Sequence, residues 1–328
     1  MKKNYTLKDF DFELPEDLIA QTPASPRDHA RLLVYDRKTK QITDDYFYNL
    51  EKYLPNDTTL VLNNSKVEKC RLEIEGTEIF VLETINPTTI QALVRPGRKF
   101  KLGDVKVGEF SMMVDAIAED GIRTIRLDRS IEDKGFDKYR LTPLPPYIKH
   151  DESLAEEYQT VYADPLGSKA APTAGLHFTS ELLSRINQTH TVAELTLHVG
   201  MGTFAPVKTD DLSKHIMHEE HFSVSSDTAK LLNASSHITA VGTTTVRVLE
   251  SVQKPFASFT GSTSIFITPG YQFKAVDSLI TNFHLPKSTL LMLVSAFIGS
   301  VEEMHRLYRH AINEGYRFYS FGDAMLIL

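Results

Sequence analysis

The second half of the chain repeats one pattern three times: a β-rich run, a turn of small or hydroxyl-bearing residues, and a stretch able to form a helix. The runs cover residues 192–199, 238–242 and 279–283, and we expect helices from about residue 211, over 246–252 and over 289–298. Ser288 stands where it can cap the last of these helices. Such alternation predicts an α/β sheet, which binds ligands at the carboxyl ends of its strands.

Between residues 57 and 130 the pattern is different. Short β-rich runs alternate with turn signals, and no 3.6-residue period is present. This indicates a small all-β barrel or sandwich. A proline-rich link over 141–147 then leads into the α/β pattern.

Composition narrows the class of protein. The chain has 328 residues with a net charge of −7 and one cysteine, so we expect no disulfide and no non-specific coating of nucleic acid. No leader is visible, and the most apolar stretch, 290–298, is too short to span a bilayer, so we expect a cytoplasmic protein without membrane contact. One local cluster of Arg98, Lys99 and Lys101 can contact nucleic-acid phosphates, although an ordinary solvated hairpin has the same composition.

The segment 170–179 precedes a helix expected over 180–187, with Thr179 as its cap. Its small residues allow a ligand to approach the backbone, and free N–H groups at a helix start attract anions. His177 lies in this turn, where burial for packing is least needed, so we expect it to contribute to turnover more than to folding. The alternative is a tight structural turn with a packed histidine.

Two other motifs are weaker. Gly200 and Gly202 imitate a dinucleotide-binding fingerprint, but Pro206 keeps a helix from starting there. A nicotinamide or flavin site is therefore disfavoured. The glycines can still shape a pocket for another adenosine-containing ligand. His215, His218 and His221 match no zinc motif, and we interpret them as one face of a solvated helix.

Three histidines each lie near the carboxyl end of a β-rich run. His177, His198 and His284 are therefore candidates for a proton carrier, although a lone histidine in such a place is usually packed in the core. The residues alone do not decide among them.

Long blocks of the sequence occur in the same order in one known family. They include LVLNN at 60–64, PLPPYI at 143–148, AAPTAGLHF at 170–178, VGTT at 241–244 and ITNFHLPKS at 280–288. On these blocks the chain resembles the S-adenosylmethionine:tRNA ribosyltransferase-isomerases of queuosine biosynthesis. The resemblance implies a large α/β domain of family-specific topology, here residues 1–66 and 141–328, with an inserted small β-barrel domain at 67–140.

The resemblance also implies a reaction. The ribosyl moiety of S-adenosylmethionine is transferred and isomerised onto 7-aminomethyl-7-deazaguanine at the tRNA wobble position, which gives epoxyqueuosine in tRNA and releases adenine and methionine. Proton removal from C5′, loss of adenine, attack by the substrate amine and epoxide closure would then be the steps. We expect no metal, tRNA as the partner, and a monomer.

Site roles follow as hypotheses from that chemistry. His177, His198 and His284 are the proton-transfer candidates. Contacts with S-adenosylmethionine are expected from Thr173, Ala174, Gly175, Gly200, Gly202, Thr203, Gly242, Thr243, Thr244, Arg247 and Ser288, with Arg247 facing a carboxylate. Contacts with the acceptor base or tRNA are expected from Tyr147, Tyr158, Phe178, Phe204, Arg98, Lys99 and Lys101.

Two rival functions remain. An ordinary methyltransferase would carry a glycine-rich loop after its first strand, and an RNA-binding module would carry a recognition signature; neither is found in the sequence. The reaction products distinguish all three functions.

Overall fold

The structure is a computed structural model that describes residues 5–149, 151–200, 209, 211–215 and 217–328. It divides the chain into two compact units: residues up to Lys66 together with Pro145–Leu328, and Val67–Leu144. The smaller unit extends beyond residue 140 because the strand Arg140–Leu141 pairs with the strand Arg71–Ile74.

The elements are named in chain order. The strands are β1 (Arg31–Tyr35), β2 (Ile42–Tyr46), β3 (Thr58–Asn63), β4 (Lys66–Val67), β5 (Arg71–Ile74), β6 (Thr77–Asn86), β7 (Thr89–Arg95), β8 (Gly103–Val107), β9 (Phe110–Ile117), β10 (Arg123–Leu127), β11 (Arg140–Leu141), β12 (Leu166–Ser168), β13 (Thr191–Leu197), β14 (Glu220–Val224), β15 (His237–Val241), β16 (Phe259–Thr263), β17 (Ser278–Asn282) and β18 (Ala324–Ile327). The α-helices are α1 (Ser180–Thr189), α2 (Ser226–Ala234), α3 (Thr243–Ser251), α4 (Thr289–Ile298) and α5 (Val301–Asn313). Short 3-10 helices cover Leu7–Phe10, Glu16–Leu18, Arg27–His29, Phe47–Lys52, Gly97–Lys99, Lys134–Tyr139, Glu152–Leu154, Thr173–His177 and Leu212–Lys214.

The larger unit is built on a mixed nine-stranded sheet in the order β16, β14, β13, β3, β15, β17, β18, β1, β2. Its centre, β13 to β17, is parallel, and β18 then runs antiparallel to β17. Every residue of β3 and β17 is buried, because helices and loops cover both faces of the sheet.

Alternate side chains of each strand enter different cores. Leu33 and Val61 pack on the face covered by α3, α4 and α5, whereas Leu32 and Leu62 pack on the face covered by α1. This two-residue period places the apolar side chains of one strand in two separate hydrophobic clusters.

Local sequence explains where the helices begin. The Thr179 hydroxyl accepts the N–H of Leu182 and starts α1, and the Ser288 hydroxyl accepts the N–H of Leu291 and starts α4, so both predicted caps are confirmed. Helix α3 begins earlier than the sequence suggests. Gly242 has φ 88° and ends β15, so the threonines that follow form the first helical turn.

The smaller unit is one antiparallel sheet in the order β11, β5, β6, β7, β10, β9, β8. Its apolar side chains alternate along the strands, and the rings of Phe110 and Phe136 stack with centroids 4.1 Å apart. The α/β sheet and the inserted all-β unit expected from the sequence are therefore confirmed.

The interpretation of His215, His218 and His221 as one helix face is wrong. The chain forms a 3-10 helix at Leu212–Lys214 and then strand β14, in which Glu220, Phe222 and Val224 point inward while His221 points to solvent. The two-residue burial period of β14 excludes a helix there.

The helices of the fold are short. In the part of the chain that the structure describes, no helix has the length and apolarity needed to cross a bilayer.

Candidate functional site

A cavity of about 350 Å³ lies in the larger unit, at the edge where the parallel strands β15 and β17 end. Four segments contribute most of its walls: 171–174, 242–244, 281–288 and 319–320. Carboxyl ends of neighbouring parallel strands are where such sheets bind ligands. Its volume lies within the range of small-molecule sites.

Several residues expected at the site meet in this cavity. Thr173, Ala174, Gly242, Thr243, Thr244, His284, Ser288 and Tyr147 all border it. The Ser288 hydroxyl accepts the Leu291 N–H and donates to the Leu285 carbonyl at 2.7 Å, so its only hydrogen is used by the protein. The Tyr147 Oη lies 2.7 Å from the Ser320 Oγ at the cavity wall.

His284 is the one histidine of the three candidates that borders the cavity among the described residues. Its Nε2 lies 2.9 Å from the Thr281 Oγ1, and its main-chain N–H donates to the Tyr308 Oη. Burial lowers the pKa of His284 to about 3, because a charged imidazole would lose its hydration there. The ring is therefore neutral near pH 7.

His177 lies behind the cavity wall. It is 4% exposed, packs against Phe47 with ring centroids 5.2 Å apart, and accepts a hydrogen bond from the Asn282 Nδ2. Burial lowers its pKa to about 3, and the charges of Arg317 and Arg27 add to this effect. The expectation of an accessible turn is corrected here, because Thr173–His177 forms a 3-10 helix whose last four residues pack into the core.

His198 does not border this cavity. It follows β13 as a half-buried residue, and its main-chain N–H donates to the His221 carbonyl. Burial lowers the pKa of His198, and the neighbouring Lys169 and His221 lower it further.

Arg247 already has a carboxylate partner within the chain. It is 2% exposed on α3 and forms an ion pair with Glu220 of β14, which also accepts the N–H of Gly200 at 2.9 Å. Arg247 therefore belongs to a buried ion pair, and the Gly200 N–H adds a hydrogen bond to its carboxylate. Neither Arg247 nor Gly200 borders the cavity. A buried charge needs such a partner because desolvation is costly.

Three other expected ligand contacts belong to the core. Tyr158 and Phe178 are fully buried and present no face on which a base can stack. A Cβ on Gly175 would lie 2.0 Å from the Tyr162 hydroxyl, so that glycine is required by packing.

The remaining expected residues lie elsewhere. Gly202, Thr203 and Phe204 fall outside the described residues. Arg98, Lys99 and Lys101 are exposed on the smaller unit, where the Lys99 Nζ donates to the Thr77 Oγ1 at 3.0 Å.

Sequence reasoning missed Asn282, Tyr319 and Ser320, which also border the cavity. Asn282 is the last residue of β17, and a polar side chain at a strand end was the available signal. Tyr319 and Ser320 carried no such signal, because they come next to the cavity through the path of the chain between α5 and β18.

Metal binding would need several ligating side chains in one place. In the described ranges, no group of three or more His, Cys, Asp or Glu side chains is arranged to hold a metal ion.

Comparison with known proteins extends over almost the whole chain. Residues 7–327 match the family model described as "Queuosine biosynthesis protein". Proteins called S-adenosylmethionine:tRNA ribosyltransferase-isomerase are 47% identical in Thermotoga petrophila and 45% identical in Staphylococcus aureus, each match covering 98% of this chain and 99% of the relative. A crystal structure of S-adenosylmethionine tRNA ribosyltransferase from Thermotoga maritima is 38% identical with a TM-score of 0.58, over 98% of this chain and 100% of that one.

The two buried histidines predict how stability depends on pH. The unfolded chain protonates His177 and His284 near the ordinary histidine pKa of 6.5, whereas in the folded chain burial lowers the pKa of each to about 3. The free energy of unfolding should therefore fall as the pH drops below about 6.5, by up to ~1.4 kcal/mol per pH unit for each histidine. Denaturant titrations between about pH 7 and about pH 5 measure this slope.

A pair of variants isolates the effect. His177→Gln removes one of the two buried imidazoles. The part of the dependence of unfolding free energy on pH that His177 and His284 cause should therefore become about half as steep. His218→Gln alters an exposed histidine and should keep the wild-type slope. An unchanged slope in His177→Gln would contradict the assignment.

Proposed function

This chain belongs to the S-adenosylmethionine:tRNA ribosyltransferase-isomerase family, and from that premise we infer its reaction and the place where it occurs. It transfers and isomerises the ribosyl moiety of S-adenosylmethionine onto 7-aminomethyl-7-deazaguanine in tRNA, forming epoxyqueuosine. The observation that carries this conclusion is the 47% identity over 98% of the chain.

The cavity at the ends of β15 and β17 is the proposed site for S-adenosylmethionine. Ala174 and Gly242 place little side-chain bulk at its wall, which lets a ligand approach the backbone. Thr173, Thr243 and Thr244 supply hydroxyl groups that can pair with ribose or base atoms. Tyr147 offers an aromatic ring at the same wall.

His284 is the proposed proton acceptor for C5′ of the ribosyl group. The neutral imidazole has one unprotonated ring nitrogen that can accept a proton, and Thr281 holds the ring in place through its contact with Nε2. The lowered pKa makes this ring a weaker base than a solvated histidine. The proton leaves a carbon next to a positively charged sulfur, which makes it more acidic. A neutral ring also avoids repelling that charge.

The first test of the reaction is its products. Incubation with S-adenosylmethionine and tRNA carrying 7-aminomethyl-7-deazaguanine should release one adenine and one methionine for each tRNA modified, measured by chromatography. S-adenosylhomocysteine would instead identify a methyltransferase, and an unchanged ligand would identify a binding module. Either result would overturn the proposal.

A second test concerns the proton acceptor. His284→Gln should lower the single-turnover rate by ~100-fold or more, as expected for the loss of a general base. The wild-type to variant rate ratio should stay constant between about pH 6 and about pH 8, because the pKa of about 3 keeps His284 neutral throughout. His198→Gln is the matched control and should retain most of the rate. The opposite ranking would transfer the role to His198.

The exposed cations of the smaller unit are proposed to contact tRNA phosphates. The chain as a whole carries a charge of −7, so binding must depend on local basic patches. Replacing Arg98, Lys99 and Lys101 by Gln should weaken tRNA binding. The slope of log affinity against log salt should flatten by about 2 to 3 if all three contact phosphates.

A control with the same change in charge makes this prediction specific. Lys230, Lys254 and Lys274 are exposed on the larger unit, and their replacement by Gln should leave the salt slope close to that of the wild type. Filter binding or fluorescence anisotropy at several salt concentrations measures both variants. Equal slopes in the two triple variants would show that the first cluster is only a solvated turn.

A further inference from the structure

Asn282 is a buried amide at the wall of the cavity. It ends β17, is 2% exposed, and borders the cavity between Thr281 and Phe283. Its Nδ2 lies 3.0 Å from the Tyr319 carbonyl oxygen and 3.1 Å from the His177 Nε2. In the described part of the chain, its Oδ1 finds no hydrogen-bond donor.

The orientation of this amide follows from its partners. The Tyr319 carbonyl can only accept, so the NH2 group of Asn282 must face it; a rotated amide would bring two oxygens together. The second N–H then points to the His177 Nε2, which must accept it. His177 is therefore neutral and carries its proton on Nδ1, in agreement with its lowered pKa.

Both hydrogens of the amide are then used, and its oxygen is not. Buried acceptors are nearly always paired, because an unpaired one costs free energy. Asn282 borders the cavity, and because its Oδ1 exposes less than 1 Å², a ligand's donor must press directly against this wall to reach it. An uncharged carbonyl oxygen pairs with an N–H or O–H donor and rejects an unprotonated ring nitrogen or a carboxylate.

We propose that Asn282 is a specificity-determining residue whose Oδ1 accepts a hydrogen bond from the amino group of a purine-type base, and that His177 is a positioning residue that fixes the amide. The proposal rests on the proposed function, which supplies two such bases: the adenine of S-adenosylmethionine and the 7-deazaguanine of tRNA. The ribose hydroxyls have other partners available in Thr173, Thr243 and Thr244.

Ligand discrimination by the unaltered protein tests the proposal first. Calorimetry compares S-adenosylmethionine with an analogue that carries hydrogen in place of the 6-amino group. The wild type should bind the analogue at least about tenfold more weakly, and Asn282→Ala should bind the two ligands with similar affinity. Asn233→Leu removes an amide with backbone partners away from the cavity and should keep the discrimination.

A tRNA arm distinguishes the two bases. In one outcome the wild type binds the two ligands equally, and Asn282→Ala raises the KM for tRNA at least about tenfold without changing the affinity for S-adenosylmethionine. The amino group that Asn282 recognises then belongs to the 7-deazaguanine. If neither the ligand discrimination nor the KM for tRNA responds, the proposal is overturned.

The role of His177 has its own readouts. His177→Gln offers an amide oxygen to the Asn282 Nδ2 and should keep the discrimination, whereas His177→Leu offers no acceptor and should lose it. Nitrogen-15 spectra of the wild type should show His177 protonated at Nδ1 and unprotonated at Nε2 from about pH 8 to about pH 5. A proton on Nε2 would overturn the orientation of the amide.

Failure of this inference and failure of the proposed reaction give different results. The calorimetric and spectroscopic tests require no turnover, so ligand discrimination without release of adenine would contradict the reaction alone. Release of adenine without discrimination and without a KM change would contradict the role of Asn282 alone.

Discussion

The hydrogen bonds donated by Asn282 join three segments of the chain at the wall of the cavity. They connect the end of β17 with the 3-10 helix Thr173–His177 and with the segment after α5, which are distant in sequence. The junction borders the same cavity as Gly242, where a positive φ ends β15 and leads directly into α3. Because these contacts are buried, the cavity wall depends on a few buried polar groups that must keep their partners.

Burial also decides what the histidines can do. His177 and His284 are held neutral by desolvation, one as an acceptor behind the wall and the other at the cavity itself. A protonated imidazole at this wall would repel a sulfonium ligand, whereas a neutral one does not. Loss of hydration around the two histidines lowers the stability of the protein at acid pH. The same loss keeps His284, the proposed proton acceptor, uncharged at the cavity.

Short-range patterns were sufficient to predict much of the fold. The caps Thr179 and Ser288, helix α4 and the central strands follow from neighbouring residues, and the carboxyl edge of the sheet was expected to hold the site. The spacing of His215, His218 and His221 suggested one face of a helix, but His221 lies in strand β14, whose side chains alternate between buried and exposed. Contacts across the fold could not be predicted: His177 and Asn282 are 105 residues apart, and no local signal indicates that they meet.

The same limit explains Arg247, and it bears on the ligand recognition that we propose for the cavity. A buried arginine near a glycine turn suggested a partner for a ligand carboxylate, but Glu220 neutralises it within the protein. Lys287, the one Lys, Arg, Asp or Glu among the described cavity residues, lies 2.7 Å from Asp11. The ligand recognition that we propose for this cavity therefore depends mainly on shape and on neutral hydrogen bonds. An uncharged acceptor such as the Asn282 Oδ1 can therefore determine which base is bound.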